Sequence, residues 1–502
     1  MAPHLVIGML ALGTTALSAC TTEPTENTPL NGSTFIGKQA YVGISLNPLF
    51  PATASSCCSI ISSKLPGAVF YPFSEEYQQQ ENTYYSSEQA ELQPSCRISP
   101  ATADEVSLIV KIASECGCEF AVRSGGHMHW KGASNIDDLG FTMDLQKLNS
   151  ISLSRDQSIV SVGPGCTWKM VYDALDPYHL VALGGRASSV GVGGFLMGDC
   201  PCRRYNLYRV PHSHPELYWA IKYGSTNFGI VTRFELLTYP LSEQVWGGAL
   251  FYDISLAYPL MGTLVNFTAK LAEDPKGMSA FGIGWNPVAH DYVVCSVNIY
   301  LAPVEFPPLF SDLAVFTPIS STLRLTDLVG ITDEIFGLLP GGIRVTWWTL
   351  TLKADAQILW DLHVYGAEIF RPYQDRSGFN FALNTQPVNV GIVEAGLRNG
   401  GNPFGMSQSN GDLILVLATL SWSDPEDDTI LKAKFQQYSE WAETETRTRG
   451  FLTPFLYMNY ASGDRDVMGS IGEDNLRRMR EIRSFYDPHD IFRKYWKGGF
   501  KL

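Results

Sequence analysis

The spacing of apolar and polar residues predicts alternating helices and strands from about Ser95 onward. Thr102-Ala-Asp-Glu105 has the pattern of a helix-capping box, and the apolar residues after it recur at helical spacing up to Ala113. A short apolar run then leads into Arg123-Ser-Gly-Gly-His127 and predicts a buried strand. That strand covers 120–122. Further predicted elements are strands over 141–145 and 159–162 and a helix over 168–175.

The pattern changes at about Trp246, where longer apolar runs alternate with helical stretches. Such a pattern is typical of a sheet covered by helices, so we predict an α+β fold. A basic helix over Asn475–Tyr486 is expected to end near Pro488. The three long runs that predict strands are Tyr292–Leu301, Ile343–Leu352 and Leu413–Trp422.

The first residues have the features of a secretory leader. Leu5–Ala19 is an apolar run that ends in small residues and is too short to span a bilayer comfortably. We therefore predict a signal peptide over 1–19, secretion, and a flexible segment over 20–55 that is rich in Thr, Pro and Glu near its start. Leu17-Ser-Ala-Cys20 also permits a bacterial lipoprotein box as an alternative.

Length and charge narrow the classes of function. A chain of 502 residues can form two or more domains. Its formal charge of −14 argues against nucleic acid or an anionic membrane as the main partner, since both would repel it. We expect a monomer whose partner is a small molecule.

The cysteines agree with an oxidising compartment. Five of them lie between Cys57 and Cys118, which is typical of disulfides, although their pairing stays open. Cys116-Gly-Cys118 could bind a metal, but no second pair stands at zinc spacing, so we predict no metal site. Asn31 and Asn266 begin glycosylation sequons, which predict a glycoprotein if the chain is exported.

Two glycine-rich segments carry the strongest indication of a cofactor. Successive backbone N–H groups in Arg123-Ser-Gly-Gly-His127 could bind an anion such as a pyrophosphate. Gly184-Gly-Arg-Ala-Ser-Ser-Val-Gly-Val-Gly-Gly194 has few side chains that would keep a ligand from the backbone. Neither segment has the Rossmann arrangement. Together they predict a phosphate-bearing cofactor bound across a cleft.

Several motifs, in order, resemble the FAD-binding domain of berberine-bridge-enzyme-like oxidases, in the vanillyl-alcohol-oxidase superfamily with its PCMH-type fold. The resemblance covers about Cys57 to Leu502. It rests on Val122–His127, Trp130 with Gly132–Asp137, Gly184–Gly194, Asn227-Phe-Gly-Ile-Val-Thr232, Tyr457-Met-Asn-Tyr460 and the Gly498-Gly-Phe-Lys-Leu502 terminus.

The resemblance implies a two-subdomain FAD-binding domain over 56–243 and an antiparallel-sheet substrate domain over 244–450. It also implies that segment 451–502 returns to the FAD domain. His127 is the residue that this family links to the flavin, and Ala187 stands where members with two covalent links have a cysteine. The implied FAD-binding residues are Arg123, Ser124, Gly125, Gly126, His127, Gly185, Ser188, Ser189, Val190, Gly191, Gly193, Gly194, Gly229, Ile230 and Val231.

The same resemblance implies the chemistry. Tyr457 or Tyr460 would take a substrate proton, with Asn459 orienting one of them, while hydride passes to flavin N5. A tyrosine can act as a base when a neighbouring cation or hydrogen-bond donor stabilises its anion. Val190 borders the family's oxygen pocket, which implies O2 as electron acceptor and H2O2 as product. Gln386 is a weaker candidate on the substrate side.

Two departures from the family pattern leave alternatives open. Met128 and His129 replace the usual Ser and Pro or Tyr, and we interpret His129 as a local polar substitution. Residues 199–212, which include Cys200-Pro-Cys202, replace a longer segment, so a strand of the flavin cleft is expected to be missing. A flavin oxidase acting on an alcohol, carbohydrate or secondary metabolite is the main hypothesis. The alternatives are a dehydrogenase, and an impaired member or mis-assembled gene model that serves at most as a scaffold.

Overall fold

Two small sheets follow one another in the first half of the computed structural model, which describes residues 53–198, 214–338, 341–398 and 401–502. The first sheet has the strand order β1-β2-β4-β3, with β2 and β3 parallel to β4. Its elements are α1 (Ala54–Lys64), β1 (Val69–Phe70), α2 (Glu75–Glu81), α3 (Ser87–Ala90), β2 (Arg97–Ile98), α4 (Ala103–Cys116), β3 (Glu119–Arg123) and β4 (Gly140–Asp144).

Helix α4 confirms the predicted capping signal. The Thr102 hydroxyl accepts from the Glu105 N–H, and the Glu105 carboxylate accepts from the Ala101 N–H. Gly117 ends the helix in the left-handed conformation, with φ of 71°, which glycine adopts without steric cost.

The second sheet is antiparallel, with the strand order β5-β6-β8-β7. The predicted loss of a strand at 199–212, including Cys200 and Cys202, concerns a segment outside the described residues. Among the described strands the ladder is continuous, because β8 pairs with both β6 and β7. The elements are β5 (Ile151–Leu153), β6 (Ile159–Val162), α5 (Trp168–Leu175), β7 (Leu180–Ala182), α6 (Val192–Met197), α7 (Pro215–Ile221) and β8 (Phe234–Pro240).

A large antiparallel sheet occupies the next part of the chain and confirms the predicted α+β class. Its order is β12-β9-β11-β10-β15-β16-β14, with β13 also paired to β9. The elements are β9 (Val245–Asp253), α8 (Ala257–Lys270), β10 (Gly277–Asn286), β11 (Asp291–Tyr300), β12 (Ser320–Ser321), β13 (Arg324–Thr326), α9 (Leu328–Gly337), β14 (Arg344–Lys353), α10 (Ala356–Phe370), β15 (Asn380–Val388), α11 (Val390–Arg398), β16 (Leu413–Trp422) and α12 (Asp428–Thr448).

The two faces of this sheet have different roles. Strand β15 alternates buried and half-buried residues, so that Phe381 and Leu383 point to one face and Asn384 and Gln386 to the other. The first face packs with side chains of α8, α10 and α12 in the largest apolar core. The second face is therefore available to line a cavity.

The C-terminal segment returns to the first sheet. The Phe120 N–H donates to the Tyr495 carbonyl at 2.8 Å, and the Lys497 N–H donates to the Phe120 carbonyl at 2.7 Å. The segment contains two helices, α13 (Glu473–Tyr486) and α14 (Ile491–Lys494). The predicted basic helix thus begins two residues earlier than expected.

Two disulfides join α1 to the first sheet. Cys57 pairs with Cys118 and Cys58 pairs with Cys96, while Cys116 is free. Cys118 therefore cannot act with Cys116 as a thiolate metal pair. Over the described ranges, no group of three or more His, Cys, Asp or Glu side chains could hold a metal ion.

The first sequon, at Asn31, lies outside the described residues. The second, at Asn266, lies within helix α8, where Thr268 is buried and donates to the Leu264 carbonyl. In the described part of the chain, no helix combines the length and apolar character that crossing a membrane requires.

A buried charge network lies where β3 and β4 end. One Asp144 oxygen accepts from both Arg97 and Arg123, each at 3.0 Å, and Glu81 accepts from Arg97 at 2.6 Å. The Arg123 guanidinium also lies over the Tyr84 ring, 4.3 Å from its centroid. Because these charged side chains are almost fully buried, each depends on its partners for stabilisation.

We predict that Asp144→Asn destabilises the fold strongly. The substitution removes the carboxylate that balances two buried guanidinium groups, and loss of one partner of a buried pair costs about 3–5 kcal/mol. Chemical denaturation should show a free energy of unfolding lower by that amount. Asp138→Asn, which makes the same chemical change at an exposed position, is the matched control. An unchanged unfolding midpoint for Asp144→Asn would contradict the role of the network.

Candidate active site

A cavity of about 950 Å³ lies among the glycine-rich segments, the large sheet and the C-terminal segment. Such a volume is at the upper end for ligand sites in proteins. Most of its lining surface is apolar. The predicted site residues that line it are Ser124, Gly125, Gly126, His127, Gly185, Val190, Gly191, Gly193, Gly194, Gly229, Ile230, Val231, Tyr457, Asn459 and Tyr460.

The first glycine segment turns sharply above the buried charge network. Gly126 has φ of 66°, and a Cβ there would lie 2.7 Å from Arg123 Nε. A side chain at this position would therefore be strained and would also collide with the guanidinium. Ser124 ties the other side of the turn to the Pro164 carbonyl at 2.6 Å. These contacts hold His127 at the cavity wall.

The two glycine segments contact each other directly through their backbones. A Cβ on Gly125 would lie 2.6 Å from the Gly191 Cα, and a Cβ on Gly191 would lie 2.6 Å from the Gly125 Cα. Gly184 and Gly185 likewise leave no room for a Cβ, because each packs against the Trp168 ring. Much of the glycine content thus serves loop packing, while the same glycines also line the cavity. Gly194 differs, because nothing lies within 4 Å of a Cβ placed there.

Three predicted FAD-binding residues do not line the cavity. Arg123 is buried in the charge network. Ser188 is tied by its backbone to Thr332 and Lys169. The Ser189 hydroxyl is buried without a hydrogen-bond partner in the described residues. From these positions Arg123 and Ser188 support the two loops.

His127 stands at the cavity wall in a water-poor environment. Its ring stacks on Tyr85 with 4.3 Å between ring centroids and an interplanar angle of 12°. Burial lowers the pKa of His127 to about 4, so the imidazole is neutral at neutral pH. Its Nε2 is buried and has no hydrogen-bond partner among the described residues. A neutral imidazole of this kind can form a bond to a ligand in the cavity.

The predicted tyrosine segment, Tyr457–Tyr460, contacts the chain at and just after helix α6, where the second glycine segment ends. The Asn459 amide donates to the Phe195 carbonyl at 3.0 Å and to the Tyr457 hydroxyl at 3.2 Å. Gly198 leaves room for this amide, since a Cβ there would lie 2.3 Å from Asn459 Oδ1. Tyr457 and Tyr460 pack edge to face, with ring centroids 4.7 Å apart. Asn459 therefore orients Tyr457, and Tyr460 is free to contact other groups.

Arg186 is a site residue that the sequence analysis did not single out. Its guanidinium donates to the Tyr460 hydroxyl at 2.8 Å and also to the Gln386 carbonyl oxygen. The Tyr460 hydroxyl donates to the same Gln386 oxygen at 3.2 Å. The sequence feature that could have identified Arg186 is its position as a charged side chain within a glycine-rich segment. This cluster brings together the second glycine segment, strand β15 and the tyrosine segment.

Aromatic side chains complete the wall around His127 and Tyr460. Trp347, on β14, lies edge to face with Tyr460. The Tyr85 ring is tilted against the Trp347 ring, with 5.5 Å between ring centroids. Burial raises the pKa of Tyr85 to about 12, so this phenol stays protonated. No local sequence signal identified Tyr85 or Trp347, because both reach the site through tertiary contacts.

The residues present fit an FAD group. The cavity is large, and both glycine segments and the sheet line it. Its wall carries the His127 Nε2, which has no hydrogen-bond partner among the described residues. The open space at Gly194 would allow a ligand to approach the backbone closely. His127, Gly194 and the segment 229–231 all line this cavity and would hold the group.

Known proteins with similar sequences are FAD-dependent. Residues 94–213 match a family described as an FAD binding domain. The FAD-dependent monooxygenase drtC of Aspergillus calidoustus is 31% identical over 483 residues, covering 90% of this chain and 91% of that protein. The FAD-dependent monooxygenase FUP4 of Fusarium proliferatum is 29% identical, covering 90% of this chain and 95% of that protein.

Solved structures share the fold. The 6-hydroxy-D-nicotine oxidase of Arthrobacter nicotinovorans superposes with a TM-score of 0.69 at 19% identity, covering 86% of this chain and 97% of that one. The berberine bridge enzyme of Eschscholzia californica gives a TM-score of 0.65 at 16% identity, covering 87% and 97%. The predicted fold and family are confirmed: the chain belongs to the berberine-bridge-enzyme-like family of FAD-dependent oxidoreductases.

Proposed function

We propose that this protein oxidises a small-molecule alcohol, carbohydrate or secondary metabolite with FAD held covalently through His127. The observation that carries the proposal is the presence of His127 and the Arg186–Gln386–Tyr460 cluster on one cavity. When bound, FAD supplies a hydride acceptor at N5. The protein then has to bind the substrate, orient it and remove its hydroxyl proton.

Tyr460 is the residue best placed to move that proton. Its oxygen has a cationic donor in Arg186 and an acceptor in Gln386. Arg186 stabilises negative charge on the phenol oxygen before transfer, and Gln386 accepts the O–H after transfer. Trp347 and Tyr85 keep this side of the cavity apolar, which strengthens these charge interactions.

We predict that Tyr460→Phe lowers kcat by about 10²–10⁴-fold, the usual contribution of a general base. Arg186→Met should also lower kcat, because the Tyr460 oxygen loses its cationic hydrogen-bond donor. Arg186→Lys should fall between Arg186→Met and the parent. Arg155→Met, at an exposed position, is the control. A parent-like kcat for Arg186→Met would rule out this role.

We predict that His127→Ala abolishes covalent flavin attachment, because the substitution removes the unpaired imidazole nitrogen on the cavity wall. The parent should give a yellow pellet on acid precipitation, whereas the variant pellet should be colourless. His489→Ala, which removes an exposed imidazole, should behave as the parent. If His127→Ala keeps its chromophore through denaturation, the attachment site lies elsewhere.

The final electron acceptor is O2 in our proposal. Val190 lines the cavity beside the two loops, as the family resemblance implies for an oxygen pocket. Oxidase chemistry transfers two electrons and two protons to O2 and releases H2O2. A substrate screen by peroxide release therefore tests the oxidase and identifies the substrate together. Substrate-driven bleaching with little peroxide in air would indicate a dehydrogenase instead.

A monooxygenase reaction is the second candidate, because the relatives from A. calidoustus and F. proliferatum are named FAD-dependent monooxygenases. Such a reaction places one oxygen atom in the product and the other in water. We predict that turnover under ¹⁸O2 leaves the organic product unlabelled and yields one H2O2 per substrate oxidised. Incorporation of ¹⁸O with little peroxide would favour the monooxygenase.

We also propose that the protein is secreted as a monomer. The two disulfides near the first sheet support an oxidising compartment. The alternative of an impaired scaffold predicts a colourless product that aggregates on expression. Size-exclusion chromatography of material from the culture medium, with its flavin absorbance, tests secretion, oligomeric state and cofactor loading together.

A further inference from the structure

His129 occupies an unusual position between the two ends of the proposed site. It lies two residues after His127 and is almost fully buried, with 1% of its surface exposed. Its Nε2 lies 3.3 Å from the Ala461 carbonyl oxygen, next to Tyr460 in the chain. Its ring stacks on Trp347 with 4.9 Å between centroids and an interplanar angle of 28°. It does not line the cavity.

The protonation of this ring follows from its surroundings. Burial lowers the pKa of His129 to about 3, so the ring is neutral at neutral pH and has one N–H. A carbonyl oxygen can only accept, so the proton must be on Nε2. Nδ1 is then a bare acceptor, and it has no hydrogen-bond partner in the part of the chain that the structure describes.

An unpaired buried nitrogen is unfavourable for stability, so packing alone does not account for a histidine here. A phenyl ring would stack on Trp347 as well and would leave no bare acceptor. Compared with a phenyl ring, the histidine adds an N–H that reaches the Ala461 carbonyl oxygen. That bond connects the turn bearing His127 to the segment bearing Tyr460.

The neighbouring aromatic contacts reinforce this connection. Trp347 contacts His129 on one side and Tyr460 on another, while Tyr85 contacts both Trp347 and His127. The buried Gln89 donates to the Met128 carbonyl at 2.7 Å and accepts from the Ser134 N–H at 2.8 Å. The hydrogen bonds of Gln89 and the stacking of His129 on Trp347 therefore hold the chain around His129 in place.

We propose that His129 is a positioning residue that sets the placement of the Tyr460 hydroxyl relative to His127, through its hydrogen bond to the Ala461 carbonyl. The inference rests on the proposed function of Tyr460 as the proton acceptor. His129 acts through Tyr460 and touches neither substrate nor cofactor. Its loss should therefore reduce the rate of turnover without reducing flavin attachment or substrate binding.

Two substitutions separate the interactions of His129. His129→Phe keeps a ring against Trp347 but removes the donor to Ala461, whereas His129→Gln keeps a donor at a similar reach but removes the ring. We expect His129→Phe to lower kcat at least tenfold with KM within twofold and covalent flavin unchanged. His129→Gln should stay within threefold of the parent in kcat. His363→Phe removes another buried histidine that does not line the cavity and is the matched control.

A double-mutant cycle tests whether His129 acts through Tyr460. In a Tyr460→Phe background, adding His129→Phe should change kcat by less than twofold. A further tenfold loss, or an equal loss in His129→Phe and His129→Gln, would overturn the proposal. Loss of covalent flavin in His129→Phe would also overturn it, since the residue would then act on cofactor attachment.

A measurement that does not depend on turnover distinguishes failure of this inference from failure of the proposed function. Hydrogen–deuterium exchange of the holoenzyme should show faster exchange at 455–465 in His129→Phe, with strand β15 and His129→Gln unchanged. If Tyr460→Phe keeps full activity but exchange rises as expected, Tyr460 is not the base and the positioning role stands. Unchanged exchange at 455–465 in His129→Phe would overturn the positioning role.

Discussion

The site depends on one buried carboxylate that two arginines share. Asp144 lies at the end of β4 and accepts from Arg97 and Arg123, whose guanidinium groups would otherwise be buried without sufficient compensation. Arg123 in turn lies directly beneath the turn at Gly126. The ends of two parallel strands, their charges and the first glycine turn are therefore held as one unit, and His127 takes its position from that unit.

Close backbone approach then joins this unit to the second glycine segment. Gly125 and Gly191 meet with no space for a side chain on either one. The tyrosine segment is tied to the end of the second segment by Asn459, while Arg186 reaches across to Tyr460. Three distant parts of the chain thus form one wall, and a shift in any of them would move the proposed base relative to the imidazole.

Polar contacts in this wall have distinct physical tasks. The Arg186 guanidinium donates to the Tyr460 oxygen, which in the proposed function holds negative charge before it accepts the substrate proton. The neutral ring of His129 instead links backbone to side chain behind the wall and has no access to the cavity. The departure from the family pattern at His129 thus places a hydrogen bond between the turn that bears His127 and the segment that bears Tyr460.

The sequence by itself determined the α+β class and the helices and strands that it predicted, and its motifs carried the family resemblance that pointed to His127 and Tyr460. The class and the elements follow from periodicity and short-range order, because apolar spacing and turn chemistry act between near neighbours. Only the tertiary structure decided that Arg123 supports a loop, that Gly125 and Gly191 pack on each other, and that Arg186 reaches Tyr460. Those outcomes depend on contacts between residues far apart in the chain, where packing and buried charge decide which side chain faces the cavity.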